Sequence, residues 1–79
     1  MAPIALTLYT RPGCHLCDEM KEIACPLARE LGYTITEVDI SDDADLEARY
    51  GTEIPVLMVN GRKAFKYRLT GSELRKKLV

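Results

Sequence analysis

No charge of one sign dominates this chain, because 11 lysines and arginines stand against 12 aspartates and glutamates over 79 residues. Such a balance offers no field to gather nucleic acid or an anionic membrane, and neither is expected as a partner. No run approaches the ~20 consecutive apolar residues of a membrane span. The first residues, Met1 to Leu8, lack the basic region and long apolar stretch of a secretory leader, so a cytoplasmic location is expected. Cysteine is scarce and odd in number: of three, two are spaced C-x-x-C at Cys14 and Cys17, and the third, Cys25, stands alone. That is not the even, dispersed framework of a small disulfide-stapled secreted domain. There is no second C-x-x-C and no H-x-x-x-H, which leaves Cys14, His15, Cys17 and Cys25 as nearby candidates for a structural zinc that normally takes four ligands. No metal ligand is assigned. Haem attachment requires C-x-x-C-H, and here Asp18 follows Cys17. No repeat, low-complexity tract or linker is evident, so residues 1–79 are expected to form one domain, acting as a monomer.

What is present is the balance of a soluble globular domain, 47% apolar and 29% charged. A chain this short buries only roughly 60% of the surface its unfolded form exposes, so the core is real but modest. Ile4 to Tyr9 is rich in strand formers and runs into Thr10-Arg11-Pro12-Gly13, a loop sequence. Leu16, Met20, Ile23, Leu27 and Leu31 then recur at steps of four and three, tracing one face of a helix that Gly32 can terminate. Pro26 interrupts this pattern, because it cannot donate to the carbonyl of Glu22 and costs a continuous helix ~3 kcal/mol or more. A kink or break is therefore expected near Cys25.

Thr34 to Ile40 nearly alternates and reads as a strand with Thr34, Thr36 and Asp39 outward. Ser41-Asp42-Asp43 caps a short helix through Leu46, Arg49 and Tyr50, stopped at Gly51. Pro55 to Val59 is an apolar strand, Asn60-Gly61 suits a two-residue hairpin turn, and Lys63 to Arg68 is the return strand. Thr70-Gly71-Ser72-Glu73 fits a capping box that opens a basic final helix ending at Val79. The order is β-α-β-α-β-β-α. A helical crossover makes the first two strands parallel and the hairpin makes the last two antiparallel, giving an α/β fold with a four-stranded mixed sheet and three helices.

The chemistry concentrates at Cys14. At the first turn of a helix its sulfur meets unpaired N–H groups and the positive end of the helix dipole, which favour thiolate over thiol. A free cysteine of pKa ~8.5 is a few per cent ionised at neutral pH, and one shifted to ~7 is roughly half ionised. Cys17, three residues on, is placed to attack a mixed disulfide at Cys14, which makes Cys14 the attacking and Cys17 the resolving cysteine. His15 reads either as a cation that stabilises the Cys14 thiolate or as a solvated first-turn residue. Arg11 reads as a second cation near the sulfur, a partner for a substrate carboxylate, or a solvated loop arginine. Cys25 reads as a small packed residue, Tyr9 and Tyr50 as packing residues with hydroxyls at the rim, and Arg62, Lys63, Lys66 and Arg68 as a solvated edge. A strand, a glycine-containing loop and a C-x-x-C that opens a helix favour thiol chemistry over metal binding.

Leu-Tyr-Thr-Arg-Pro-Gly-Cys-His-Leu-Cys, Leu8 to Cys17, resembles the strand, loop and active-site helix of the glutaredoxin branch of the thioredoxin superfamily. It is most similar to the small glutaredoxin-like proteins that carry Cys-His-Leu-Cys in place of Cys-Pro-Tyr-Cys. The resemblance spans nearly the whole chain and implies a thioredoxin-like fold, thiol–disulfide exchange at Cys14 and Cys17, and a disulfide-bearing protein or small thiol as substrate. It also implies a cis proline opposite the cysteines, at Glu53-Ile54-Pro55-Val56. A cis Ile54–Pro55 bond would leave the Ile54 N–H and C=O free to pair with an extended substrate.

Glutaredoxins usually follow the hairpin with a Gly-Gly pair and an acidic residue that hold glutathione. Here the stretch is Lys66-Tyr67-Arg68-Leu69-Thr70-Gly71-Ser72-Glu73, in which only Gly71 and Ser72 can stand in. Glu53-Ile54 replaces the usual Thr-Val before the proline, a negative charge where an anionic tripeptide would lie. No tightly bound cofactor is expected, and glutathione enters as a possible co-substrate only. Two other classes stay open from the residues: a module binding metal or an iron–sulfur cluster through Cys14 and Cys17, and a non-catalytic interaction domain.

Overall fold

The computed structural model describes residues 4–78 and has the element order β1 (Ala5–Thr10), α1 (His15–Leu31), β2 (Thr34–Asp39), α2 (Ala44–Tyr50), β3 (Val56–Val59), β4 (Arg62–Lys66) and α3 (Gly71–Leu78). The sheet runs β2-β1-β3-β4, with β1 and β2 parallel and the other two pairs antiparallel. This is the expected four-stranded mixed sheet. Val79, the expected last residue of α3, lies outside the described residues, as do Met1–Pro3.

Alternation along β1 sends Leu6 and Leu8 to one face, where they are buried with Leu57 of β3, Met20, Ala24, Leu27 and Ala28 of α1, and Leu74 and Leu78 of α3. Each large aliphatic side chain taken from water in this way contributes ~1.5–3 kcal/mol, and together they hold α1 and α3 against the sheet. The buried stripe of α1 is centred on Cys17, Met20, Ala24, Leu27 and Ala28, with Leu16, Ile23 and Leu31 half-buried at its margins. The two alanines let the helix sit close to the strands. Tyr9, pointing to the opposite face, stacks on Tyr50 of α2 with ring centroids 4.7 Å apart, whereas α2 has no fully buried residue.

The expected kink or break at Cys25 is corrected in one respect: α1 runs unbroken through Pro26. Pro26 and Glu22 both lie on the exposed face, so the Glu22 carbonyl that loses its helical donor can meet water, and burial on the other face holds both halves in line. Gly32, left-handed at φ 76°, ends the helix, with its N–H and that of Tyr33 donating to the carbonyls of Arg29 and Ala28. The second correction concerns β4, which stops at Lys66 rather than Arg68. Tyr67 turns to φ 66° and donates its N–H to the Pro55 carbonyl at 2.9 Å.

Asn60 and Gly61 take φ 51° and 82°, as the tight hairpin turn requires. Asp43 caps α2 by accepting the N–H groups of Asp45 and Leu46, and Thr70 and Glu73 form the capping pair of α3. The basic hairpin strip is not wholly solvated, since Lys63 and Lys66 both pair with Glu53, and Lys63 beside Glu53 holds that carboxyl below its ordinary range.

Pro26→Ala restores one helical hydrogen bond in an unbroken helix and is expected to raise stability by about 1–3 kcal/mol in urea unfolding. A loss would show that the helix depends on the proline. Glu53→Gln is expected to lower the melting temperature at neutral pH. Because the folded-state pKa of Glu53 is lowered, its contribution is present above the ordinary carboxylate range and disappears as pH falls through it, so variant and wild type should converge in acid.

Candidate active site

Arg11-Pro12-Gly13-Cys14 forms a tight turn in which Gly13 takes φ 77° and the Cys14 N–H donates to the Arg11 carbonyl at 3.3 Å. The turn delivers Cys14 in extended geometry, φ −90° and ψ 110°, as the N-cap of α1. Where a serine or aspartate would offer oxygen, Cys14 offers sulfur, and the Cys17 N–H donates to it at 3.1 Å. Cys14 and Cys17 are joined as a disulfide, their Cα atoms 5.2 Å apart. Their surroundings differ: Cys14 is half-buried at the helix mouth, and Cys17 is 2% exposed.

His15 is exposed as the first residue of α1. Arg11 takes a position that neither a free loop arginine nor a thiolate partner describes. Its guanidinium donates to the Glu47 carboxylate and, at 3.4 Å, to the Gly51 carbonyl, bracing the loop against α2. Gly51 is required there for space rather than for backbone conformation, since its φ is −55° and a β-carbon would collide with the Glu47 carbonyl.

Pairing of Tyr9 with Val56 brings the start of β3 to the end of the sheet from which the Cys14 loop leaves. Ile54–Pro55 is cis, as the resemblance implied, and no described residue makes a backbone hydrogen bond with Ile54. Gly71 and Ser72 are exposed at the start of α3, with Gly71 facing Ile23, nine residues beyond Cys14 on α1. They are not gathered at the cysteines. A groove of about 100 Å³ runs instead between Leu16, Met20 and Ile23 of α1 and Tyr67, Arg68 and Leu69. The sequence carried no signal for this, because it depends on the left-handed turn at Tyr67.

On the β2 side of the cysteines lies a second cleft of about 340 Å³, reached by Cys17 and lined also by Thr10, Arg11, Lys21, Glu37 and Asp39. Glu37 on its wall accepts from the Thr10 hydroxyl at 3.1 Å and from Lys21 at 3.0 Å. That bond, with the charge of Glu37, holds the Lys21 ammonium above its usual pKa. The Ser41 hydroxyl and N–H, at 2.7 and 2.8 Å, hold Asp39 below its usual value, with Arg11 adding a smaller effect. Sequence reasoning passed over Glu37 as one polar residue of an edge strand; its pairing opposite Leu8 on a parallel neighbour is what aims it at the site. Cys25 is a free, half-buried thiol on another part of α1.

Residues 5–79 match the family described as Glutaredoxin-like domain (DUF836). A glutaredoxin-like protein of Dictyostelium discoideum is 32% identical over 77 residues, covering 90% of this chain and 71% of that one. The X-ray structure of a structural-genomics target protein from X. campestris is 40% identical with a TM-score of 0.77, covering 92% of this chain and 93% of that one. Oxidised mitochondrial thioredoxin 3 from Saccharomyces cerevisiae shares the fold at a TM-score of 0.72 and 14% identity, covering 99% and 78% of the two chains. The chain thus belongs to the glutaredoxin-like (DUF836) family, and its fold is thioredoxin-like.

Proposed function

We propose that the protein is a dithiol–disulfide oxidoreductase in which Cys14 attacks and Cys17 resolves. The observation that carries this reading is the asymmetry of a bonded pair: one sulfur caps the helix at its mouth and accepts an N–H at 3.1 Å, and its partner is buried one turn in. An N–H donor and the helix dipole both stabilise negative charge on Cys14. The Cys14 thiolate attacks one sulfur of a substrate disulfide and displaces the other as a thiolate. The Cys17 thiolate then attacks the Cys14 sulfur, the Cys14–substrate bond breaks, and the second half of the substrate leaves reduced. Two electrons have passed to the substrate, and the protein holds a Cys14–Cys17 disulfide for a thiol donor to reduce.

A disulfide-bearing protein or a small disulfide is the proposed substrate class, with the free backbone of Ile54 as a docking edge. Glutathione is proposed as an exchangeable co-substrate rather than a resident group, and the protein is proposed to work as a cytoplasmic monomer. Among the described residues no three His, Cys, Asp or Glu side chains converge as a ligand set, which gives the metal-binding alternative no geometric support.

Reduction of a disulfide substrate should be lost in Cys14→Ser. Cys17→Ser should retain partial activity toward substrates whose mixed disulfide an external thiol can resolve, and mass spectrometry should find the adduct on Cys14. Equal residual activity in the two variants would contradict the assignment.

A further inference from the structure

Tyr67 holds a backbone conformation that a bulky side chain rarely adopts: its φ is 66°, in the left-handed region that favours glycine. Among the described residues it is also the only exposed large hydrophobic side chain, at 44%. Three contacts fix it. Its N–H donates to the Pro55 carbonyl at 2.9 Å, its hydroxyl donates to the Thr52 carbonyl at 3.2 Å, and the Lys66 ammonium lies 5.5 Å from its ring centroid. The two carbonyls bracket Ile54 in the chain, and the backbone of Ile54 itself is engaged by no described residue. A strained conformation persists only where surrounding contacts hold it, and such residues cluster at ligand-binding sites.

We propose that Tyr67 is the residue that fits this site to polypeptide disulfides in preference to small ones. The inference rests on the exchange role proposed above and names the substrate class within it. By anchoring Thr52 on one side and Pro55 on the other, Tyr67 fixes the intervening backbone and leaves the N–H and C=O of Ile54 uncommitted. An extended polypeptide carries the complementary C=O and N–H groups along its length, and a small disulfide does not. Tyr67 also lines the groove with Leu16, which lies between the two cysteines in the chain, and with Met20 and Ile23. A segment paired with Ile54 therefore finds an apolar seat for its side chain next to the cysteine pair. Because it acts on the substrate backbone through Ile54, Tyr67 is a positioning residue.

If Tyr67 served the fold alone, replacing it by glycine would relieve the left-handed backbone and leave the choice of substrate unchanged. If it positions the docking edge, the same replacement leaves the fold sound and weakens the hold on a polypeptide. One variant separates the two roles. Tyr67→Gly keeps the N–H that the Pro55 carbonyl accepts and loses both the hydroxyl bond to Thr52 and the ring beside Lys66, whereas Tyr67→Phe loses the hydroxyl bond alone.

The test mixes the reduced protein with excess disulfide over a range of concentrations, quenches in acid, alkylates free thiols and follows formation of the Cys14–Cys17 disulfide by mass. One probe is a synthetic peptide cyclised through a disulfide with leucine beside one of its cysteines, and the other is bis(hydroxyethyl) disulfide. In Tyr67→Gly the half-saturating peptide concentration should rise about fivefold or more, with the limiting rate within about twofold, and Tyr67→Phe should show a smaller rise in the same direction. The rate with bis(hydroxyethyl) disulfide should stay within about twofold in both variants, and the melting temperature of Tyr67→Gly should hold or rise. An unchanged half-saturating concentration for the peptide in Tyr67→Gly, or equal losses with the two disulfides, would overturn the proposal. A wild type that forms no Cys14–Cys17 disulfide with either probe would overturn the exchange reading itself, and this inference with it.

Discussion

One hydrogen bond organises the site: the Cys17 N–H donates to the Cys14 sulfur, so that a cysteine sulfur takes the place of the oxygen that usually caps a helix. Two local features bring it about. Gly13 supplies the positive φ that turns the chain out of β1, and the extended conformation of Cys14 points its side chain back over the first turn. The same bond that starts α1 places its dipole on the sulfur, an effect of up to ~2 kcal/mol in favourable geometry. Local structure and reactivity thus have a single cause.

The sheet then gives the cysteine pair two unlike sides. Toward α3 lies a groove whose floor is Leu16, Met20 and Ile23. Toward β2 lies a cleft built from Thr10, Lys21, Glu37 and Asp39. The contrast follows from topology: α1 packs its apolar stripe over β1 and β3, and its other margin meets the edge strand β2, which carries the polar side chains of Glu37 and Asp39 at this end. Arg11, tied to Glu47, links this end of the sheet to α2 and keeps the loop before Cys14 in place.

Much of the fold was legible because it is written in short-range chemistry. Asn60-Gly61 demanded a hairpin, Gly32 a helix stop, and Thr70 with Glu73 a helix start, and each is found where expected. Pro26 misled because propensity prices a helix in isolation, whereas Met20, Ala24, Leu27 and Ala28 bind this one to a sheet along its whole length. Tyr67 misled in the opposite sense: a tyrosine is a good strand residue, and its left-handed turn is imposed by the Pro55 carbonyl, a partner 12 residues away in sequence. Of the site, Cys14 and Cys17 were legible from their spacing. Glu37 was not, because its place in the cleft that Cys17 lines arises only from the parallel register of β2.

That Cys14 and Cys17 interconvert between dithiol and disulfide is tested most directly by equilibrating the protein across glutathione redox ratios, quenching in acid, alkylating free thiols and reading the masses. A reversible two-electron transition between roughly −200 and −270 mV, with both cysteines protected together and Cys25 alkylated throughout, is the predicted result. Cys14 and Cys17 remaining alkylated at every ratio would contradict a redox role for the pair.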